Sequence, residues 1–182
     1  MDSLLQERTR ITVAPYWHVA AYVRDQKPDA VISILSDLSD KLARPDFKGV
    51  ASVLKLHFDD VLEDGTRGGV RPTRFIAPSI ADVAEIINFA QQVGTGKHYL
   101  CHCRAGASRS VSASLVIACA LDAPPEKLRE LRFLRNYFKP SLAILRHTKT
   151  LLPDRSEALL EIAGEQRPWT RADDWAPASI LF

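Results

Sequence analysis

The stretch that leads to Leu121 is apolar nearly all round and closes on the unbroken apolar run Leu115–Leu121. A helix with no polar face belongs inside a core, so other layers must enclose it. The run is seven residues long, against the roughly 20 that a membrane-spanning helix needs. Burial inside a protein, with no membrane span, is the expectation. Just before this helix lies a short strand-like run, His98–His102, and between the two sits Cys103-Arg104-Ala105-Gly106-Ala107-Ser108-Arg109-Ser110.

Around this unit, strand-like and helix-like runs alternate, which predicts an α/β fold with a small, mostly parallel central sheet of about four or five strands flanked by helices. Pro15 opens a helix over Tyr16–Gln26, with Tyr16, Val19, Ala20 and Val23 on one face. Ala30–Leu35 reads as a buried strand. Ser52–Phe58 reads as a second, in which Leu54, Leu56 and Phe58 alternate with Lys55 and His57. A polar, Gly-bearing loop runs from Asp59 to Thr73. Ser79 and Asp82 form a capping box for a helix over Ile80–Val93 that Gly94 stops. Further helices are expected at Glu126–Arg135, at Ser141–Leu152 with Ser141 as a fair cap, and at Ser156–Ala163 capped by Asp154.

At 182 residues one domain is the natural expectation, with a core over about residues 10–163. The tail, residues 164–182, is expected to pack irregularly on it. Trp169 and Trp175 then anchor the tail or line a cleft. The N-terminus lacks a basic segment followed by an apolar one, so no signal peptide is expected. Three cysteines are too few for a disulfide framework and suit a reducing cytoplasm. From Lys127 to Lys149 seven cations face one acid, so the stretch carries +6 in a chain of net charge +2. It is either a solvated helix face or a basic rim that draws in an anionic substrate.

The chemistry sits in the loop between His98–His102 and the buried helix. A tight turn from a strand into a helix start directs successive main-chain N–H groups inward, a nest for a tetrahedral anion. Gly106 suits a position of positive φ or close approach. Ala105 and Ala107 leave the hollow open. Arg109 offers a planar fork of donors that fits two phosphate oxygens. A cysteine at a helix start near Arg or His favours its thiolate form, so Cys103 is expected to be a nucleophile at neutral pH.

His102-Cys103, five residues, then Arg109-Ser110 resembles the signature His-Cys-x5-Arg-Ser/Thr of the Cys-dependent protein tyrosine phosphatase superfamily. Gly106 and Ser108 also fit its dual-specificity form. The resemblance implies a tyrosine/dual-specificity phosphatase-like fold and a phosphomonoester hydrolase. Cys103 then attacks phosphorus, giving a phosphocysteine. Arg109 and the backbone of Arg104, Ala105, Gly106, Ala107 and Ser108 bind the phosphoryl oxygens. Ser110 donates a hydrogen bond toward the sulfur, and His102 fixes the loop by hydrogen bonds. No metal or cofactor is implied, and a zinc reading of Cys101-His102-Cys103 lacks a second ligand pair.

The resemblance also places a general acid on a loop after an upstream strand. Asp60 continues the alternation of Leu54, Leu56 and Phe58 and is the leading candidate; Asp59, Glu63 and Asp64 are alternatives. Cys101 and Cys119 read as core residues, with reversible pairing to an oxidised Cys103 as the other possibility. The expected partner is a phosphorylated protein or another phosphomonoester, not nucleic acid. Phosphoinositide or inositol-phosphate hydrolysis and a non-catalytic phosphate-binding module are the alternative functions. Only one residue inside the loop, Arg104, adds charge beyond Arg109, which favours protein over polyphosphorylated inositol. A sulfur-transfer fold fits the Ser108-Arg109-Ser110 ending poorly.

Overall fold

The computed structural model describes residues 8–36, 40, 42–67, 73–131, 139–164 and 177–182. Its strands are β1 (Arg10–Pro15), β2 (Ala30–Ile34), β3 (Ser52–Leu56), β4 (Gly65–Arg67), β5 (Thr73–Phe75), β6 (His98–Cys103) and β7 (Ala178–Leu181). Its helices are α1 (Tyr16–Gln26), α2 (Ile80–Val93), α3 (Arg109–Ala120), α4 (Pro125–Leu131), α5 (Leu142–Leu151) and α6 (Glu157–Gly164). Five strands form the central sheet in the order β3-β2-β6-β1-β7. The first four are mutually parallel, and β7 runs antiparallel to β1. The predicted α/β class and mostly parallel sheet are therefore present.

The burial of each strand follows its place. β2 and β6 lie inside the sheet; β2 is buried along its whole length and β6 in all but its first residue. This is why β2 reads as an unbroken apolar run rather than an alternating one. α3 is buried at every position, and it packs on β6, β1 and β2 on one side and on α2, α4 and α5 on the other. The opposite face of the sheet carries α1, whose Val19 and Val23 join Ala14, Val31, Phe47 and Leu100 in a smaller cluster. Ala20, predicted on the same face, is exposed. The capping box at α2 is present, with Ser79 Oγ accepting from the Asp82 N–H at 3.2 Å and Asp82 Oδ2 accepting from the Ser79 N–H at 2.7 Å.

Four expectations change. β1 is a full strand that the sequence reading passes over, because Ile11-Thr12-Val13-Ala14 gives too short a run to register. Part of the expected Asp59–Thr73 loop is an antiparallel hairpin of β4 and β5; residues 68–72 lie outside the description. Asp154 does not cap α6. Pro153 fixes φ, and Pro153–Arg155 forms a 3-10 turn of its own before α6 starts at Glu157. The tail is not irregular at its end, since β7 extends the sheet and Thr9 and Phe182 exchange main-chain hydrogen bonds at 2.6 and 2.9 Å. Trp169, Trp175, Arg132 and Arg135 lie outside the described residues, as does the rest of the helix predicted to reach Arg135. Among the described residues no helix is long and apolar enough to cross a membrane.

Candidate active site

Parallel strands deliver their carboxyl ends, and the loops that follow them, to one edge of the sheet, the usual ligand edge of open α/β folds. Here β6 ends at Cys103 and α3 begins at Arg109, leaving residues 104–108 as the connecting loop. Gly106 sits at φ +69°, a conformation that a side chain would strain. Two main-chain bonds pin the loop from outside. The Tyr16 N–H donates to the Arg104 carbonyl at 3.1 Å, and the Lys139 N–H donates to the Ala107 carbonyl at 3.3 Å. The Ser108 side chain makes no capping bond to α3; main-chain donors at an uncapped helix start are of the kind that can meet an anion.

Cys103 is 2% exposed. Its sulfur accepts the Gly106 N–H at 3.2 Å and lies 3.3 Å from Ser110 Oγ. Both contacts suit a negatively charged sulfur, because charge on the acceptor strengthens a hydrogen bond.

Arg109 is almost fully buried. Its Nη1 donates to Asp40 Oδ2 and to the Phe58 carbonyl, both at 2.9 Å, and Nη2 donates to Asp40 Oδ1 at 3.3 Å. A guanidinium has five N–H donors in a fixed fork. These three bonds leave Nε–H and one Nη2–H, the pair along one edge that fits two oxygens of a phosphoryl group. Burial works against the Arg109 charge, but the Cys103 sulfur, Asp40 and Asp60 outweigh it, and its pKa is raised.

Asp40 is itself buried, and its Oδ2 also accepts the Ser36 N–H at 2.8 Å. Arg44 braces the same region: Nη1 donates to the Ser33 carbonyl and hydroxyl, both at 2.8 Å, and Nη2 to the Leu35 and Leu56 carbonyls at 3.1 and 2.6 Å. It thereby ties the carboxyl ends of β2 and β3, from which Asp40 and Phe58 reach Arg109. Neither Asp40 nor Arg44 was predicted. Asp40 lies among several similar acids and serines, and nothing local marks one of them as the partner of an arginine 69 residues away.

The four candidate acids have different surroundings. Asp59 is 3% exposed, and its Oδ2 accepts the Ile76 N–H at 2.9 Å. Asp64 Oδ1 accepts the Ala77 N–H at 2.8 Å. Both carboxylates are occupied in joining this loop to the segment before α2. Asp60 is exposed, makes no hydrogen bond among the described residues and is near enough to act on the charge of Arg109. Glu63 is exposed and makes no hydrogen bond among the described residues.

His102 departs from expectation. Its ring is fully buried and 5.8 Å from that of Phe47, and neither ring nitrogen has a hydrogen-bond partner among the described residues. Alternation along β6 puts it on the apolar α1 side with Leu100, so it fills space there instead of bonding to the loop. Burial pushes its pKa down to about 4; the Cys103 main chain opposes this, and Arg44 and Arg109 add to it.

Cys101 and Cys103 share the other face and the main core, and all three cysteines are free. Burial pushes the thiol pKa of Cys101 up, and that of Cys119 up to about 12, the latter partly countered by Arg155. Both side chains pack in the core. Ser141 makes no side-chain cap for α5; its N–H donates to Ser112 Oγ at 2.7 Å, which fastens the segment after Lys139 to α3. In the basic stretch Lys127 pairs with Glu130 and Arg129 with Glu161, as a solvated face would. A cleft of about 460 Å³, lined by Cys119, Asp122 and Arg155 among others, opens at the far end of α3, away from this loop.

Several solved structures share the fold. The human tyrosine phosphatase-like serine/threonine/tyrosine-interacting protein is 16% identical with a TM-score of 0.53, over 78% of this chain and 89% of that one. Human DUSP28 is 12% identical with a TM-score of 0.51, over 83% and 94%. PTPMT1 is 16% identical with a TM-score of 0.51, also over 83% and 94%. No family model and no curated protein matches the chain.

Proposed function

Starting from a chain with the fold of the dual-specificity-like branch of the Cys-dependent phosphatases, we propose that it hydrolyses phosphomonoesters through a phosphocysteine. One observation carries this reading: the Cys103 sulfur accepts the Gly106 N–H and lies 3.3 Å from Ser110 Oγ, beside a buried Arg109 whose Nε/Nη2 edge matches a phosphoryl group.

The substrate phosphoryl group sits in the loop against the amides of residues 104–108 and the Nε/Nη2 edge of Arg109. The Cys103 thiolate attacks phosphorus, an S–P bond forms and the P–O bond to the leaving group breaks. Asp60 gives its proton to the departing oxygen, a step worth about 10²–10⁴-fold in such reactions. Water then attacks the phosphocysteine and loses its proton to the Asp60 carboxylate. The S–P bond breaks, inorganic phosphate leaves, and Ser110 stabilises the returning sulfur anion. The small loop residues and single added charge inside the loop favour a phosphorylated protein as substrate. Three unpaired cysteines suit the reducing cytoplasm.

Hydrolysis of p-nitrophenyl phosphate and of phenyl phosphate, a poorer leaving group, tests this assignment. Cys103→Ser is expected to abolish turnover while still binding the ester. Asp60→Asn is expected to lower kcat about 10²-fold or more on phenyl phosphate and less on p-nitrophenyl phosphate. Full activity in Cys103→Ser ends the phosphatase reading; equal activity in Asp60→Asn reassigns only the acid.

A further inference from the structure

We propose that Ser112 is a positioning residue for the anion-binding loop. Its hydroxyl holds a strap, residues 139–141, that fixes how one peptide group of the loop is turned and so aims the Ser108 N–H at a bound phosphoryl group. This rests on the phosphatase reading above.

The contacts close a ring. The Lys139 N–H donates to the Ala107 carbonyl at 3.3 Å, and two residues on the Ser141 N–H donates to Ser112 Oγ at 2.7 Å. The Ser112 N–H donates in turn at 2.8 Å to the carbonyl of Ser108, the residue after Ala107. Pro140 joins the two donors of the strap, and its ring fixes φ between them. Pro140, Ser141 and Ser112 are all buried. A trans peptide is planar, with its C=O and N–H on opposite sides. Holding the Ala107 carbonyl toward Lys139 therefore turns the Ser108 N–H away from the strap, the sense that a phosphoryl contact needs. At the other end of the loop, the Tyr16 N–H holds the Arg104 carbonyl at 3.1 Å and by the same geometry turns the Ala105 N–H.

Ser112 is set apart from the neighbouring serines of α3. Ser110 and Ser112 lie two residues apart, about 200° around a helix. Ser110 Oγ is 3.3 Å from the Cys103 sulfur, while Ser112 Oγ meets the strap. Ser114 is equally buried, but its hydroxyl donates to the Val111 carbonyl of its own helix at 2.6 Å, the kind of local bond that helical serines make. The Ser112 hydroxyl instead takes a donor from outside the helix, 29 residues away. Without it the buried Ser141 N–H has no acceptor, which is costly enough to move the strap.

The test measures inorganic phosphate as a competitive inhibitor of p-nitrophenyl phosphate hydrolysis, with thermal melts beside it. Ser112→Ala is expected to raise the phosphate inhibition constant and KM together by about tenfold, the scale of one hydrogen bond to a charged group. Its kcat is expected to change by no more than about twofold, because the lost contact is made before and during reaction alike. Lys139→Pro deletes the donor N–H itself at an exposed position. It is expected to show the same rise when compared with Lys139→Ala, which also lacks the ammonium group but keeps the N–H. The double variant Ser112→Ala/Lys139→Pro is expected to be no weaker than the worse single one, since both cut one strap. Leu115→Ala, which loosens the same helix, is expected to melt lower with its phosphate constant unchanged. A phosphate constant unchanged in Ser112→Ala, or effects of the two strap substitutions that simply add, overturns the proposal. So does an equal rise in Leu115→Ala, which would make the loss one of stability alone. If Ser112→Ala does not fold, Lys139→Pro against Lys139→Ala decides, and equal constants overturn it. Inertness of wild type toward p-nitrophenyl phosphate overturns the phosphatase reading instead. The strap is then read from the Ser108 amide NMR signal in a phosphate titration, where a signal left unmoved sinks it.

Discussion

Arg109 shows how one side chain can serve two ends at once. One edge belongs to Asp40 and Phe58, and the other makes no hydrogen bond among the described residues, as the proposed phosphoryl contact requires. Removing one partner of a buried ion pair leaves an uncompensated charge and typically costs 3–5 kcal/mol. Asp40→Ala is therefore expected to destabilise the fold by about 3 kcal/mol in urea unfolding. It should also lower kcat/KM on p-nitrophenyl phosphate by roughly ten- to a hundredfold, the scale of a small misplacement of a positioned group. Asp40→Asn keeps acceptor oxygen and shape, so it should recover part of both losses. A KM and kcat unchanged in Asp40→Ala would remove Asp40 as the residue that positions Arg109.

At the scale of elements, the loop and the helix behind it separate activity from stability. α3 is buried on all sides, so Leu115→Ala should cost about 2–5 kcal/mol, as large-to-small changes in a packed core do. Gly106 sits at positive φ in a loop outside that packing. Gly106→Val should strain the loop and tilt the Gly106 N–H away from the sulfur it bonds at 3.2 Å. The expected result is a loss of turnover of tenfold or more with a stability change of only about 1–3 kcal/mol, the cost of a strained backbone position. Circular-dichroism melts run beside kinetics check this, and a Gly106→Val enzyme with normal turnover contradicts it. The sequence marks both elements because their signals are local: one glycine in a strand-to-helix turn, and twelve helical residues without a polar face.

Acid sensitivity belongs to the whole molecule, since it arises where separate elements close over a histidine. Burial, and secondarily Arg10, lowers the pKa of His98 to about 4 against a partial counter-effect from Asp29, and His102 is likewise held near 4. Exposed histidines titrate near 6.5. Between those values the unfolded chain binds more protons than the folded one, so stability rises with pH across the window. The contribution is complete above about pH 6.5 and is lost as the pH falls through about 4. For the deeply buried His102 it amounts to about 3 kcal/mol. Urea midpoints measured from pH 7.5 to 4 should fall on acidification, and His102→Phe should flatten the slope. A midpoint indifferent to pH across that range contradicts the burial of both rings.

What depends on neighbours a few residues apart can be read along the chain alone. The run from β6 through Cys103, Gly106 and Arg109 into α3, the bounds of α1 and α2, and the Ser79–Asp82 cap were all legible from turn chemistry and periodicity. The tertiary structure alone decided the rest. It chose Asp40 from among similar residues, turned Asp59 and Asp64 to hold Ile76 and Ala77 while leaving Asp60 exposed, set His102 in an apolar layer, and laid β7 against β1. The reason is that an ion pair or a strand partner is fixed by where the chain returns in space. A carboxylate carries no mark in its own stretch of sequence of the guanidinium or amide that will meet it.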